Sequence, residues 1–469
     1  MHDTLQDTPF CIGCGAGFSG DRLDVAEPVV DTLIERGLPA AIMFETLAER
    51  TLALAQLARQ NNPDHGYEPK LRELLEPILG KCVRHGIPII GNFGAANPMA
   101  AARMIAALGR ELALPPFQIA VLEGDDIRDR LTPEQWDIAE SDTSLQVDPA
   151  QVIAANVYLG AADIATALRH GALVVVTGRV ADPALALGPL LWHFDWPLDD
   201  WQRLAAGTLA GHLLECGSQV SGGYFADPGF KEVPNMANIG FPIAQVSRDG
   251  DILIGKASNT GGLVSEQTVK EQLLYEIHDP AAYLTPDVIL DISNVTVAAA
   301  GPDQVRVSGA HGKPRPARLK ATLSFGSGWL GEGEISYAGP NALARAQLAA
   351  QVLRERIAQR QLQVRYRIDL IGVASVHDSD NGALLASLPP ELDHNDVRVR
   401  LAAVAEDKAQ AETAAREVLA LYCDGPAGGG GVRWHLTRRI GTQSYLLPRE
   451  QVETRLHYLN SHANQPEAL

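Results

Sequence analysis

Polar residues with chemical potential stand directly behind the apolar runs of the first 180 residues. Glu45 closes PAAIMFE (39–45), and Asn92 lies in PIIGNFG (88–94) beside Gly94. Glu123 ends FQIAVLEG (117–124), with Asp125 and Asp126 just behind it. Arg179 ends ALVVVTGR (172–179), with Asp182 three residues on. Carboxylates held at such positions can take or give a proton. A guanidinium can hold a carboxylate or phosphate through two parallel hydrogen bonds. The candidate catalytic set is therefore Glu45, Glu123, Asp125 and Arg179, with Asn92, Gly94 and Asp182 as ligand contacts. Structural roles compete with this reading. Asn97-Pro98 and Asp182-Pro183 have the form of a helix N-cap followed by proline at N1, Asp125 and Asp126 can be solvated loop acids, and Arg179 can pair with Asp182 or Glu123.

The first apolar run leads into CIGCGAGFSGDRLD, where Gly15-x-Gly17-x-x-Gly20 formally meets the dinucleotide fingerprint. Glycines at such a turn let the backbone approach a ligand, and free N–H groups at a helix start favour an anion. Gly15, Gly17, Phe18, Gly20, Asp21 and Arg22 are expected ligand contacts, with Glu45 about where a ribose-binding acid would sit. The alternative for Asp21 is a plain helix N-cap. Two later loops carry paired glycines among amides and hydroxyls: Gln219 with Gly222 and Gly223 after Glu215-Cys216-Gly217, and Asn259, Thr260 and Gly261 with Gly262. Such loops present backbone N–H groups to a ligand. Helix C-capping and Ser265–Thr268 capping are the structural alternatives.

These residues need elements to position them. Apolar runs at 9–13, 39–45, 88–94, 117–124 and 172–179 alternate with helical patterns at 22–37, 71–86 and 98–112. That alternation predicts βαβ units, a parallel sheet and helices on both faces. Ligands bind such sheets beyond the carboxyl ends of their strands, so the polar residues above should share one crevice. A β-rich part follows at about 240–340, with a hairpin around Asp249-Gly250 and strands at 287–299, 304–309, 317–326 and 333–339; these are expected to form an antiparallel sheet on the α/β core. A helix at 341–361 leads to a separable α+β unit, ferredoxin-like in its order of elements. The expected division is thus 1–362, an α/β domain, and 363–469, a small α+β domain. GPAGGGG (425–431) reads as a loop.

A chain of 469 residues is long enough for two or three cores. The net charge of −18 argues against nucleic acid or an anionic membrane as a partner, yet leaves room for a small anion held by local dipoles. No apolar run reaches membrane-spanning length, and MHDTLQDTPF lacks a basic signal-peptide start. Five scattered cysteines, Cys11, Cys14, Cys82, Cys216 and Cys423, read as reduced thiols of a cytoplasmic protein. Cys11-x-x-Cys14 is a formal redox motif, but Cys11 falls within a strand. Clustered histidines, a G-x-S-x-G elbow and a Walker lysine are all missing, so no metal or resident cofactor is expected. A homo-oligomer is the base expectation.

Six segments in order carry a family resemblance: IGCGAGFSGDR (12–22), GNFGAANP (91–98), LEGDD (122–126), TGRVADPALALGPL (177–190), LECGSQVSGGYF (214–225) and SNTGGLVSEQTVKEQLLYE (258–276). Over roughly 9–360 the chain resembles the acyclic terpene utilisation AtuA family, also known as DUF1446, and the remainder resembles the small ferredoxin-fold domain that often follows it. The resemblance implies catabolism of acyclic terpenoids or branched acids through CoA thioesters. It assigns no catalytic roles. Three functions stand open: a hydratase- or lyase-like enzyme using acid–base chemistry on a carboxylate or acyl-CoA, an NAD(P)-dependent oxidoreductase resting on the glycine turn, and a non-catalytic ligand-binding or scaffold subunit.

Overall fold

The computed structural model describes residues 7–130, 137–138, 147–376, 387 and 395–463. Strands form at the five expected apolar runs: β1 (Phe10–Ala16), β2 (Ala40–Phe44), β3 (Ile89–Gly91), β4 (Gln118–Glu123) and, after an unforeseen β5 (Val152–Val157), β6 (Val174–Thr177). Five of them lie side by side and parallel in the order β1-β2-β3-β6-β4. Every residue of β1, β2, β3 and β6 is buried, as a sheet covered on both faces requires.

Alternation along β1 fixes which helices cover which face. On one side a side chain at Gly13 would strike Val29 and Leu33 of α1 (Ala26–Arg36). On the other, Phe10 meets His193 and Trp192, with ring centroids 4.7 and 6.3 Å away, in the helix Ala184–Phe194. Helices on both faces are therefore present. The long helix expected over 71–86 is two, Leu71–Leu75 and Leu79–His85. Pro77 between them cannot donate to the preceding turn.

The sheet continues antiparallel beyond β1. Pro242–Val246 pairs with β1 and forms the expected hairpin with Ile252–Lys256; Gln304–Ser308 and Thr296–Gly301 complete that side. The expected strands at 317–326 and 333–339 are one, Arg318–Ala338. The glycines between them look like a turn in the sequence. Gly331 and Gly333 serve another purpose, because a side chain at either would strike the helix Lys408–Asp424, at Ala411 and Val418.

Two compact units divide the chain, one made of 1–324 with 442–469, the other of 325–441. The expected boundary at 362/363 falls inside the second unit. That unit has strands ordered Arg365–Ile371, Asp396–Ala405, Arg318–Ala338, Gly430–Pro448. Its core joins Ile335, Tyr337, Val399 and Leu401 to Leu353 and Ile357 of the helix Ala342–Gln359 and Val418 of Lys408–Asp424. Buried Glu417 accepts from Arg356 at 2.9 Å and from Arg360.

The last residues were expected to belong to a separable tail domain. Arg455–Asn460 instead pairs antiparallel with β4 and closes that edge of the first unit's sheet. Tyr458 and Leu459 are buried there, and Ser461 exchanges hydrogen bonds with Phe117. Leu459→Ala is expected to cost about 2–5 kcal/mol, read as a lower urea midpoint. A separable tail domain would leave the first unit's unfolding unchanged.

Candidate functional site

Several chain segments converge beyond the carboxyl ends of β1, β2, β5 and β6. They surround a cavity of about 770 Å³ within the first unit. Gly17 and Phe18 follow β1, Glu45, Leu47 and Glu49 follow β2, Tyr158 follows β5, and Arg179 and Asp182 follow β6. Glu215, Cys216 and Gln219 come from the end of the helix Trp201–Glu215. Tyr275, Glu276, Tyr283, Arg318 and Lys320 complete the wall.

Arg179 is the hub. It is 2% exposed. Its Nε donates to Val180 O at 2.8 Å, one terminal nitrogen donates to Leu47 O, and the other pairs with Asp182. The guanidinium carbon lies 4.6 Å from the centroid of the Tyr158 ring, a cation–π contact. The Arg179 backbone N–H donates to Asp125 at 2.8 Å. The salt-bridge role weighed for Arg179 is present, with Asp182 as the partner, and the residue lines the cavity as well. Asp182 does not cap the next helix, whose N-cap is Pro183.

Glu45 stands beside it. One carboxylate oxygen, Oε1, accepts from Leu47 N–H and from Asn92 Nδ2, both at 2.8 Å. Asn92 is itself held by Thr46 N–H, which donates to Asn92 Oδ1 at 2.8 Å. Oε2 has no hydrogen-bond partner among the described residues. Burial raises the Glu45 carboxyl to about 7, against the pull of Arg179 and the two donors. At neutral pH it is thus poised to give or take a proton. Asn92 stands behind Glu45 and fixes its rotamer.

Tyr158 links this floor to the outer wall. Its hydroxyl donates to Glu49 at 2.6 Å, and Lys320 lies 4.8 Å from its ring centroid and 3.5 Å from Glu49. Lys320 and Glu49 are partly exposed, whereas Arg179, Glu45 and Glu215 are buried. The cavity therefore runs from a wetter cationic end to a drier floor carrying two carboxylates.

On the opposite wall His212 Nδ1 and Glu215 Oε1 are 2.8 Å apart, and His212 Nε2 lies 3.3 Å from Leu273 O. Burial works against charge on the ring, but Glu215 together with the backbone at Leu273 and Gln272 outweighs it and holds the imidazole above its ordinary value. Burial raises Glu215 too, despite His212. Burial and Glu215 likewise push the Cys216 thiol up, so it is no thiolate nucleophile at neutral pH. Burial raises the Cys14 thiol as well, and all five cysteines are free.

The glycine turn is occupied by contacts within the chain itself. A side chain at Gly17 would come within 2.3 Å of Gly217 N and 2.5 Å of Cys216 C, so glycine is needed where two backbones cross. Gly15 is packed under Phe44. The Gly17 N–H donates to Asp21 at 2.8 Å instead of pointing at a ligand. Asp21 also accepts from Arg22 N–H, so it braces the turn and is not the N-cap of α1, which begins at Ala26.

Of the predicted residues, Glu45, Arg179, Gly17, Phe18, Asp182 and Gln219 line the cavity. Asn92 and Asp125 stand behind it. Asp125 is buried, accepts from Asn156 as well as Arg179, and is raised to about 6 by that burial. Glu123 does not reach the cavity. It is half-exposed and 3.3 Å from His457. Gly15, Gly20 and Arg22 lie off the wall, Arg22 paired with Asp24. Gly94 is a tight turn against Thr177 O and Pro98. Gly222 and Gly223 belong to the turn after Gln219, Gly223 donating to Ser218 O. Asn259, Thr260 and Gly261 form a separate turn, Thr260 donating to Ala257 O and Gly261 to Asn238 O. Ser265 and Thr268 make the capping box foreseen as the structural alternative. Missed by the sequence reading were Glu49, Tyr158, Tyr275, Glu276, Tyr283, Arg318 and Lys320. The signal for Tyr158 was the apolar run VIAANVYLG (152–160).

An α/β protein with a polar, acid-rich cavity beyond the ends of its parallel strands is the class these features define. The model of the acyclic terpene utilisation family protein AtuA matches residues 10–458, so the chain belongs to that family. The match runs through the region first read as a separate following domain. No curated protein matches the chain. Among the described residues no helix is long and apolar enough to cross a membrane, and no group of three or more His, Cys, Asp or Glu is placed to hold a metal ion.

Two measurements probe the site's physics. Gly17→Ala should lower stability by about 1–3 kcal/mol or more, seen as a lower melting temperature, because neither backbone can yield. Glu45 binds its proton more tightly folded than unfolded, so its contribution falls as pH rises from 4.5 through about 7. Glu45→Gln should therefore stabilise the protein at pH 8, by at most ~3 kcal/mol, with no gain at pH 4. Equal stabilities at both pH values would show that Glu45 titrates normally.

Proposed function

We propose that the cavity is the active site of a catabolic enzyme acting on a branched carboxylate or its acyl-CoA thioester by acid–base chemistry. Family membership supplies the context, acyclic terpene utilisation. The observation that carries the chemistry is Glu45: one oxygen anchored by two donors, the other without a partner among the described residues, in a cavity wall. That is what a proton-transferring carboxylate next to an activated carbon needs. Lys320 and Arg318, near the more exposed end, suit the anionic part of such a ligand. A nicotinamide oxidoreductase has less support, because the glycine turn is taken up by Asp21 and by the crossing at Gly217. The β-α-β-β-α-β order of the second unit supports reading it as ferredoxin-like.

The test follows solvent deuterium entering the α-carbon of isovaleryl-CoA by NMR, alongside thermal-shift titration with the same compound. The wild-type protein should show both exchange and a raised melting temperature. Glu45→Gln should bind but lose exchange by about 10²–10⁴-fold. Binding without exchange in the wild type would favour a ligand-binding subunit. Stabilisation by NADH or NADPH alone would favour the oxidoreductase.

A further inference from the structure

The His212–Glu215 pair has no role in the chemistry above, yet it is built at considerable cost. Both side chains are buried, at 1% and 7% exposure, inside the first unit. Both imidazole nitrogens face acceptors, Glu215 Oε1 at 2.8 Å and Leu273 O at 3.3 Å. Nε2 must then carry a proton toward Leu273 O, and a second proton lies between Nδ1 and Oε1. The ring packs against Tyr283, whose centroid is 5.6 Å away, and Gln272 donates to the His212 backbone carbonyl at 3.0 Å. Glu215 Oε2 is buried and has no hydrogen-bond partner among the described residues. Glu215 also lines the cavity that holds Glu45. A buried carboxylate oxygen without a donor is costly to leave so, and the group able to satisfy it is one that enters the cavity.

We propose that Glu215, oriented by His212, is a second substrate-contacting carboxylate that accepts a hydroxyl or water hydrogen at Oε2, so that the substrate is a 3-hydroxyacyl compound or the 2-enoyl compound to which water adds. This rests on the acid–base reading of the cavity. The roles of the two carboxylates then differ. The imidazole at Glu215 Oε1 favours the carboxylate form of Glu215, which receives a proton, whereas Glu45 is the group that gives one. In hydration, the water oxygen forms the C–O bond at the β-carbon and its proton passes to Glu215 Oε2. The double-bond electron pair moves to the α-carbon, which takes the Glu45 proton. One carboxyl and one carboxylate exchange states, and exchange with solvent restores them. Dehydration runs the same steps backward. Other ionisable groups face this pair: Glu45, Arg179, Cys216, Tyr275, Glu276 and Tyr283. His212 is a positioning residue in this scheme.

The test compares two probes by thermal shift and calorimetry, isovaleryl-CoA and 3-hydroxyisovaleryl-CoA, which differ by one hydroxyl. The wild type should bind the hydroxy compound at least about tenfold tighter, as a hydrogen bond to a charged group implies. Glu215→Gln, nearly isosteric, should cut that ratio to about threefold or less and leave isovaleryl-CoA binding unchanged. His212→Asn should move the pH at which the preference appears upward, because Glu215 then lacks its cationic partner; a merely structural role would weaken both probes alike at every pH. Circular dichroism of each variant checks folding, and if Glu215→Gln is unfolded the wild-type ratio and the His212→Asn profile decide. Equal wild-type binding of the two probes overturns the role of Glu215 and leaves the acid–base reading standing. Binding of neither overturns the acyl-CoA reading and this proposal with it.

Discussion

The buried guanidinium of Arg179 is the constraint on which the site depends. A charge removed from water must be compensated on every side. Here the compensation comes from Val180 O, Leu47 O, Asp182 and the face of Tyr158. Meeting those demands draws the segments after β2, β5 and β6 onto one point. The backbone N–H of the same residue draws in Asp125 from beyond β4. Glu45 then finds itself beside a fixed cation yet buried enough to stay near neutrality in proton affinity. The electrostatics of the cavity follow from satisfying this one charge.

The second constraint is steric. Gly17 and Gly217 let two backbones cross at a distance no side chain tolerates. That crossing seats the end of the helix Trp201–Glu215 against the turn after β1. Glu215, Cys216 and Gln219 thereby join a wall otherwise made from strand ends. The glycine fingerprint thus has a physical cause in the contact between two parts of the chain.

Much of this was legible in the sequence where the signal was local. Apolar runs gave β1 to β4 and β6, and the strand-end rule brought Glu45 and Arg179 to one place. Signals that depend on a distant partner could not be read so. Gly331 and Gly333 look like a turn until the helix Lys408–Asp424 is placed on them. Asp21 looks like a cap until its carboxylate is seen bracing Gly17. Glu123 and Glu45 look alike as strand-end acids. They differ because β4 lies next to Arg455–Asn460, where Glu123 meets His457, whereas β2 lies at the middle of the sheet. Tyr158 and Lys320 were missed because β5 joins Arg318–Ala338 and stays out of the parallel sheet. Long-range pairing of that kind has no imprint on local periodicity.

The return of Arg455–Asn460 to β4 has a further meaning for how the chain is made. During synthesis the first 324 residues emerge with β4 still an open sheet edge, a template for unwanted pairing. The strand that covers it appears only after the whole of 325–441 has been produced. That intervening unit draws its strands and helices from a continuous stretch of chain, so its contacts close while the larger unit is still incomplete. The order in which the chain leaves the ribosome is therefore not the order in which its sheet is finished, and the interval between the two is when the protein is most open to misassembly.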